Sequence, residues 1–132
     1  MTQQFPEQLT SHHQCLDFTD LALYRLFRGI PEAPEPLVYP TPPTPNSDIY
    51  CTALDRGYVA ELVLDADGFL TVVAFRYCSN VADQAWNIAP MSDRIDGDFW
   101  LDFRPEYWGD QTFVPFRDGR LVCDRSEWRT SE

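Results

Sequence analysis

The sequence contains no lysine. All ten of its basic residues are arginine, set against fourteen aspartates and seven glutamates, and the formal net charge is −11. Without lysine there is no amine for a Schiff base and no lysine clamp for a phosphate. So large an excess of carboxylates repels nucleic-acid backbones and anionic membrane surfaces; it suits solubility or a basic partner. No apolar run approaches the roughly 18 residues of a membrane span. The only histidines, His12 and His13, are adjacent, and no Gly-x-Ser-x-Gly occurs, so the usual nucleophile–base arrangements find no support. The six glycines are scattered singly, which excludes a glycine-rich phosphate loop. Cys15, Cys51, Cys78 and Cys123 include no Cys-x-x-Cys pair, against both zinc ribbons and redox motifs. No basic segment followed by an apolar run opens the chain. The expectation is therefore a cytoplasmic protein with free, mostly buried thiols and no signal peptide.

Aromatic residues are abundant: nine Phe, six Tyr and four Trp in 132 residues that are 44% apolar. That composition belongs to a folded globular chain, and the length to one domain, residues 1–132. A domain of this size buries roughly two thirds of its unfolded surface, enough for a core without disulfides or metal.

Two apolar runs around a polar turn, Tyr58 to Tyr77, organise the chain. Tyr58, Ala60, Leu62 and Leu64 alternate with Val59, Glu61 and Val63. Phe69, Thr71, Val73, Phe75 and Tyr77 alternate with Leu70, Val72, Ala74 and Arg76. This period of two predicts a hairpin, reversed at Asp65-Ala66-Asp67-Gly68 with Gly68 at positive φ. Asp65 and Asp67 resemble only a fragment of a calcium loop, because the strand resumes at once at Phe69.

Before the hairpin, the residues up to about 13 are polar and expected to be loose. In 14–28 apolar residues recur at three and four: Leu16, Leu23 and Phe27, then Cys15, Phe18, Ala22 and Leu26. That spacing predicts an amphipathic helix stopped by Gly29 and Pro31. Residues 31–45 hold seven of the eleven prolines and predict an extended strap; its Pro-Thr-Pro-Pro-Thr-Pro has no close basic flank of the kind proline-reading domains use. Ile49–Leu54 reads as a short strand, and Asn80–Asp98 as a strand with a loop or a helical turn. Asp96-Gly97 and Asp118-Gly119 read as type I′ hairpin turns, flanking Phe99–Arg104, Phe113–Arg117 and Arg120–Cys123. Pro115 puts its strand at an edge or at a bulge. The sum is an α+β fold. An N-terminal helix packs on a mostly antiparallel, curved sheet of about five to seven hairpin-connected strands spanning 49–124.

For function, the dense stretch is Phe99 to Phe116. Trp100, Asp102, Glu106, Tyr107, Trp108 and Asp110 combine rings with carboxylates, as a surface does when it binds a cationic or amphipathic protein. Asp98 and Asp102 share the strand parity of Trp100, a pattern that would also suit acid–base work on a sugar. His12, His13, Cys15 and Asp17 are metal-ligand types, but neighbouring residues do not face one way, so no metal and no cofactor is expected. The leading expectation is a non-catalytic interaction or assembly module for a basic protein partner, with no nucleic acid or membrane involved. A homo-oligomer through an uncovered sheet face is also open. The alternatives are a small-ligand carrier with a pocket between helix and sheet, and a small carboxylate enzyme.

Overall fold

The computed structural model of the chain describes residues 7–16, 22–39, 58–78, 86–104 and 110–130. Within them lie ten strands: β1 (Gln8–Ser11), β2 (Ala22–Ile30), β3 (Ala33–Pro36), β4 (Val59–Leu64), β5 (Leu70–Cys78), β6 (Trp86–Arg94), β7 (Phe99–Arg104), β8 (Thr112–Arg117), β9 (Arg120–Leu121) and β10 (Arg129–Thr130). A single 3₁₀ turn, Arg125–Glu127, is the only helical element among the described residues. One sheet runs β1-β4-β5-β6; the other runs β10-β8-β7-β2-β3, with β9 also on β8. The fold is therefore two sheets, and the expected α+β arrangement with an N-terminal helix is overturned.

Of the span 14–28 expected to be that helix, residues 22–28 belong to β2, an interior strand of the six-stranded sheet, while 17–21 lie outside the described residues. A bulge explains the misleading spacing. Leu23 pairs with Phe103 and Arg25 with Asp102, so Tyr24 is an extra residue that shifts the alternation by one. Leu23 and Leu26, three apart, thus both enter the core, while Phe27 is buried on the opposite face against Trp100 and Phe113. A strand buried on both faces and carrying a bulge imitates a helical stripe.

The central hairpin forms as expected, with a bulge of its own. Glu61 pairs with Ala74 and Leu62 with Val72, leaving Val73 extra. Leu70 and Val72 face inward before it and Phe75 after it, so Phe75 changes sides relative to simple alternation. At the turn, Asp65 Oδ1 accepts from the Asp67 and Phe69 amides at 2.9 and 3.0 Å, and Gly68 has φ +94°.

The remaining corrections also have local causes. The supposedly loose N-terminus supplies β1, which pairs parallel to β4. Part of the proline strap is β3, at the sheet edge where Pro34 and Pro36 need donate nothing on the open side. Pro115 lies in a strand with neighbours on both sides, but its outer side is the gap between β9 and β10. There its carbonyl accepts from Val122 N, so the missing N–H breaks no ladder bond. Asp118-Gly119 is the expected type I′ turn, with φ +51° and +79°. Asp96-Gly97 is not a hairpin: β6 and β7 belong to different sheets, and this segment carries the chain from one to the other. Ile49–Leu54 lies outside the described residues.

The core fills the space between the sheets. Leu62, Leu64, Leu70, Val72 and Phe75 meet Leu26, Leu101, Phe103, Val114 and Phe116, with Phe99 stacked on Phe116 at 4.5 Å. The second sheet, not a helix, covers the apolar face of the hairpin. Two corners join the sheets through single bridges, Glu7 to Leu23 and Phe69 to Arg120.

Candidate functional site

The nine described arginines are each engaged by the chain itself. Arg25, Arg94, Arg104, Arg120, Arg125 and Arg129 lie over aromatic rings, Arg104 only 3.5 Å from the Tyr24 centroid. Arg76 pairs with Glu61 and Arg117 with Glu127. Arg28 donates to the carbonyls of Asp96 and Asp98 at 3.1 and 3.0 Å. A planar guanidinium stacks on a ring face while its five donors bond in the plane, a geometry the compact ammonium of lysine does not share.

On the outer face of the six-stranded sheet, Asp102 sits mid-strand in β7 and is completely buried. Its carboxylate accepts from Arg25 Nε at 3.0 Å, from Gln111 Nε2 at 3.2 and 3.0 Å, and from Arg104 Nη2 at 3.4 Å. This carboxylate is held inside the chain and organises the face instead of reaching outward. Trp100, two residues earlier on the same face, is half-buried. Its ring stacks on Phe27, its Nε1 donates to Gly29 O at 2.9 Å, and Arg129 lies 5.7 Å from its centroid.

At the start of β7, just ahead of Trp100 in the chain, three exposed aspartates converge. Asp98 Oδ1 accepts the Asp118 amide at 3.0 Å, and Gly119 N donates to Gly97 O at 2.8 Å. A Cβ built on Gly119 would lie 3.8 Å from Asp96 Oδ1. Two Asp-Gly turns, docked on each other, therefore gather Asp96, Asp98 and Asp118 at one corner. Arg28 links it to Gly29 and so to Trp100. Turn chemistry signalled these residues in the sequence only as loop formers; their meeting depends on the sheet-to-sheet crossing. Asp98 and Asp102 have separate partners, one capping a turn and one binding arginines. Asp110 is exposed, next to Gln111. Glu106, Tyr107 and Trp108 lie outside the described residues.

A pocket of about 440 Å³ opens beside β2 and β3, lined among others by Glu7, Arg25, Phe27, Pro36, Tyr39 and Tyr58. Glu7, one of its lining residues, is buried and accepts from Tyr39 OH at 2.5 Å. Tyr39, Tyr58 and Phe75 pack edge to face on one another.

Among the described residues, metal-ligand atoms converge at His13, Cys15 and Cys123, all within 4.8 Å of one another. Cys15 is half-buried and Cys123 exposed, so these two thiols are not the buried ones expected. Cys123 is the member that sequence reasoning missed, since 110 residues separate it from His13. The neighbouring Cys15 thiol, then burial, push the Cys123 thiol above its ordinary value. His13 Nδ1 accepts the Cys15 amide at 3.0 Å, so in the neutral ring Nε2 carries the hydrogen. Nε2 points at Cys123 Sγ, 3.9 Å away. In this state the ring is a donor to sulfur and offers no lone pair to a metal.

No helix among the described residues is long and apolar enough to cross a membrane. Compared with protein-family models, with curated proteins and with solved structures, the chain matches none.

Proposed function

We propose that the chain is a non-catalytic binding module. It takes a protein partner with a basic surface at the corner where Asp96, Asp98 and Asp118 gather just ahead of Trp100. The observation that carries this reading is the gathering of three exposed carboxylates just ahead of that ring in β7, in a chain whose described arginines are already engaged by its own rings, carbonyls and carboxylates. A tryptophan offers rigid contact area, and the surplus carboxylates steer and pair with arginine or lysine. Asp102 acts from beneath, holding β2 and β7 in register. Asp110 is exposed at the opposite end of the β7–β8 pair from this corner; it, Glu106, Tyr107 and Trp108 enter as sequence candidates. A cytoplasmic location fits this role.

The test is an amide-shift titration of the ¹⁵N-labelled protein with arginine- and lysine-rich peptides that carry one aromatic residue. Saturable shifts should gather on Asp96–Leu101 and Arg117–Gly119. Shifts scattered over the whole surface would sink the reading.

A second reading, a small-ligand carrier, draws on the pocket at Glu7 and Tyr39. Aromatic walls with a buried carboxylate suit an amphipathic molecule with a hydrogen-bond donor. Shifts confined to Glu7, Tyr39 and Tyr58 on adding a small molecule would favour it.

A further inference from the structure

The turn after β1 and the segment after β9 meet at two thiols that the binding surface does not use. Ser11 Oγ bonds Leu16 O at 2.6 Å and holds the first segment. Arg125 Nη2 donates to Cys15 O at 3.2 Å and ties it to the second. Asp124 caps the 3₁₀ turn directly after Cys123 through Ser126. The sulfurs are thus kept within 4.8 Å of each other by bonds on both sides. His13 Nε2–H faces Cys123 Sγ and donates to it, while the Cys15 thiol and burial hold the Cys123 thiol above its ordinary value.

We propose that Cys15 and Cys123 form a dithiol site that exchanges with a low-molecular-weight disulfide such as oxidised glutathione, closing to an intramolecular Cys15–Cys123 disulfide. The exposed Cys123, deprotonated to its thiolate, attacks one sulfur of the incoming disulfide. A mixed disulfide forms and one glutathione thiolate leaves, taking up a proton equivalent to the one Cys123 released to water. Cys15, deprotonated in turn, attacks Cys123 Sγ; the second glutathione leaves and is protonated. Two electrons and two protons pass from the protein thiols to two molecules of glutathione. The metal alternative is disfavoured by the Cys15 amide bond to His13 Nδ1, which sets Nε2 as a donor.

The experiment equilibrates the reduced full-length protein in glutathione buffers of increasing oxidised fraction, traps free thiols by alkylation and maps peptides by mass. A linked Cys15–Cys123 peptide, with an intact-mass loss of about 2 Da, is expected as the oxidised fraction rises. Cys123→Ser should abolish the linkage. Cys15→Ser should stop at a glutathione adduct on Cys123, a gain of about 305 Da. His13→Ala should slow closure severalfold without changing which residues are linked. Two outcomes would overturn the proposal. One is wild-type protein in which Cys15 and Cys123 stay alkylatable, or carry separate adducts, at every ratio. The other is stoichiometric binding of added zinc that shields both thiols from alkylation and is lost in Cys123→Ser.

Discussion

Arg25 and Asp102 face each other across neighbouring strands, their charged groups 3.0 Å apart, with the Asp102 side chain fully removed from solvent and the Arg25 side chain 42% exposed. Aspartate is a poor strand residue and costly to bury. It is tolerated mid-strand because Arg25, Arg104 and Gln111 together fill its acceptor sites. The same cluster fixes the register of β2, the bulged strand of the sheet.

The burial is asymmetric, so the two partners should respond unequally to removal. Asp102→Ala leaves two guanidinium groups and an amide without their common acceptor and should destabilise by about 2–4 kcal/mol. Arg25→Ala should cost only about 1 kcal/mol, since Arg104 and Gln111 still serve Asp102. Urea denaturation of both variants and of the double variant tests this. Equal single losses that simply add would show that the pair is not coupled.

Gly68→Ala should destabilise by about 1 kcal/mol or more. Its φ is +94°, and a Cβ there would come within 3.3 Å of Arg120 Cγ and 3.4 Å of Leu121 N and Cβ. Gly68 O also accepts from Leu121 N at 2.8 Å, so a shift of the turn would strain the link between the sheets. A thermal melt unchanged from wild type would contradict this account of the turn.

The Asp65 carboxyl is held below its ordinary value of 3.8, chiefly by the Phe69 amide bond. A depressed folded pKa means that the unfolded state binds more protons near that pH. The contribution is then fully present above the unfolded value and lost as pH falls through the folded one. Stability of the wild type should therefore drop more steeply below about pH 4 than that of Asp65→Asn, with parallel curves at neutral pH. Denaturation across an acid pH series would show it, and identical slopes would refute it.

How far the sequence could be read is decided by a few residues. Asp65 to Gly68 and Asp118-Gly119 were legible because their turn chemistry is local and leads to one outcome. Tyr24 and Val73 were not: each bulge moves the alternation by one, and in β2 the result matches helical spacing at Leu23, Leu26 and Phe27. Asp96-Gly97 uses the same dipeptide as a true hairpin turn to cross between sheets, which no local signal distinguishes. Trp100 was legible as a site candidate because rings among carboxylates are visible in one strand. Asp96 and Asp98 closely precede it, but Asp118 comes from the β8–β9 turn and the thiol partner of Cys15 from the segment after β9. Only the pairing of β7 with β8, and the docking of the segment after β9, bring them together.

The binding reading separates two contributions that kinetics can resolve. Asp96, Asp98 and Asp118 are exposed, so they should mainly steer the encounter. Changing all three to Asn keeps an acceptor for the Asp118 amide, so the corner retains its shape. Association with a basic peptide identified by titration should then slow about tenfold at low salt, with little change in dissociation, and the difference should shrink as salt rises. Trp100 contributes contact area instead. Trp100→Ala should weaken binding by about 2 kcal/mol, mostly through faster dissociation, and should do so at any salt. Its Nε1 bond to Gly29 O links β7 to β2, so a circular-dichroism melt must accompany the measurement. If the melt shows unfolding, Trp100→Phe, which keeps a ring but loses the bond, separates packing from contact. A triple variant that binds as fast as wild type at low salt would remove the carboxylates from the site. Affinity untouched by either tryptophan change would remove the corner from the partner's surface altogether.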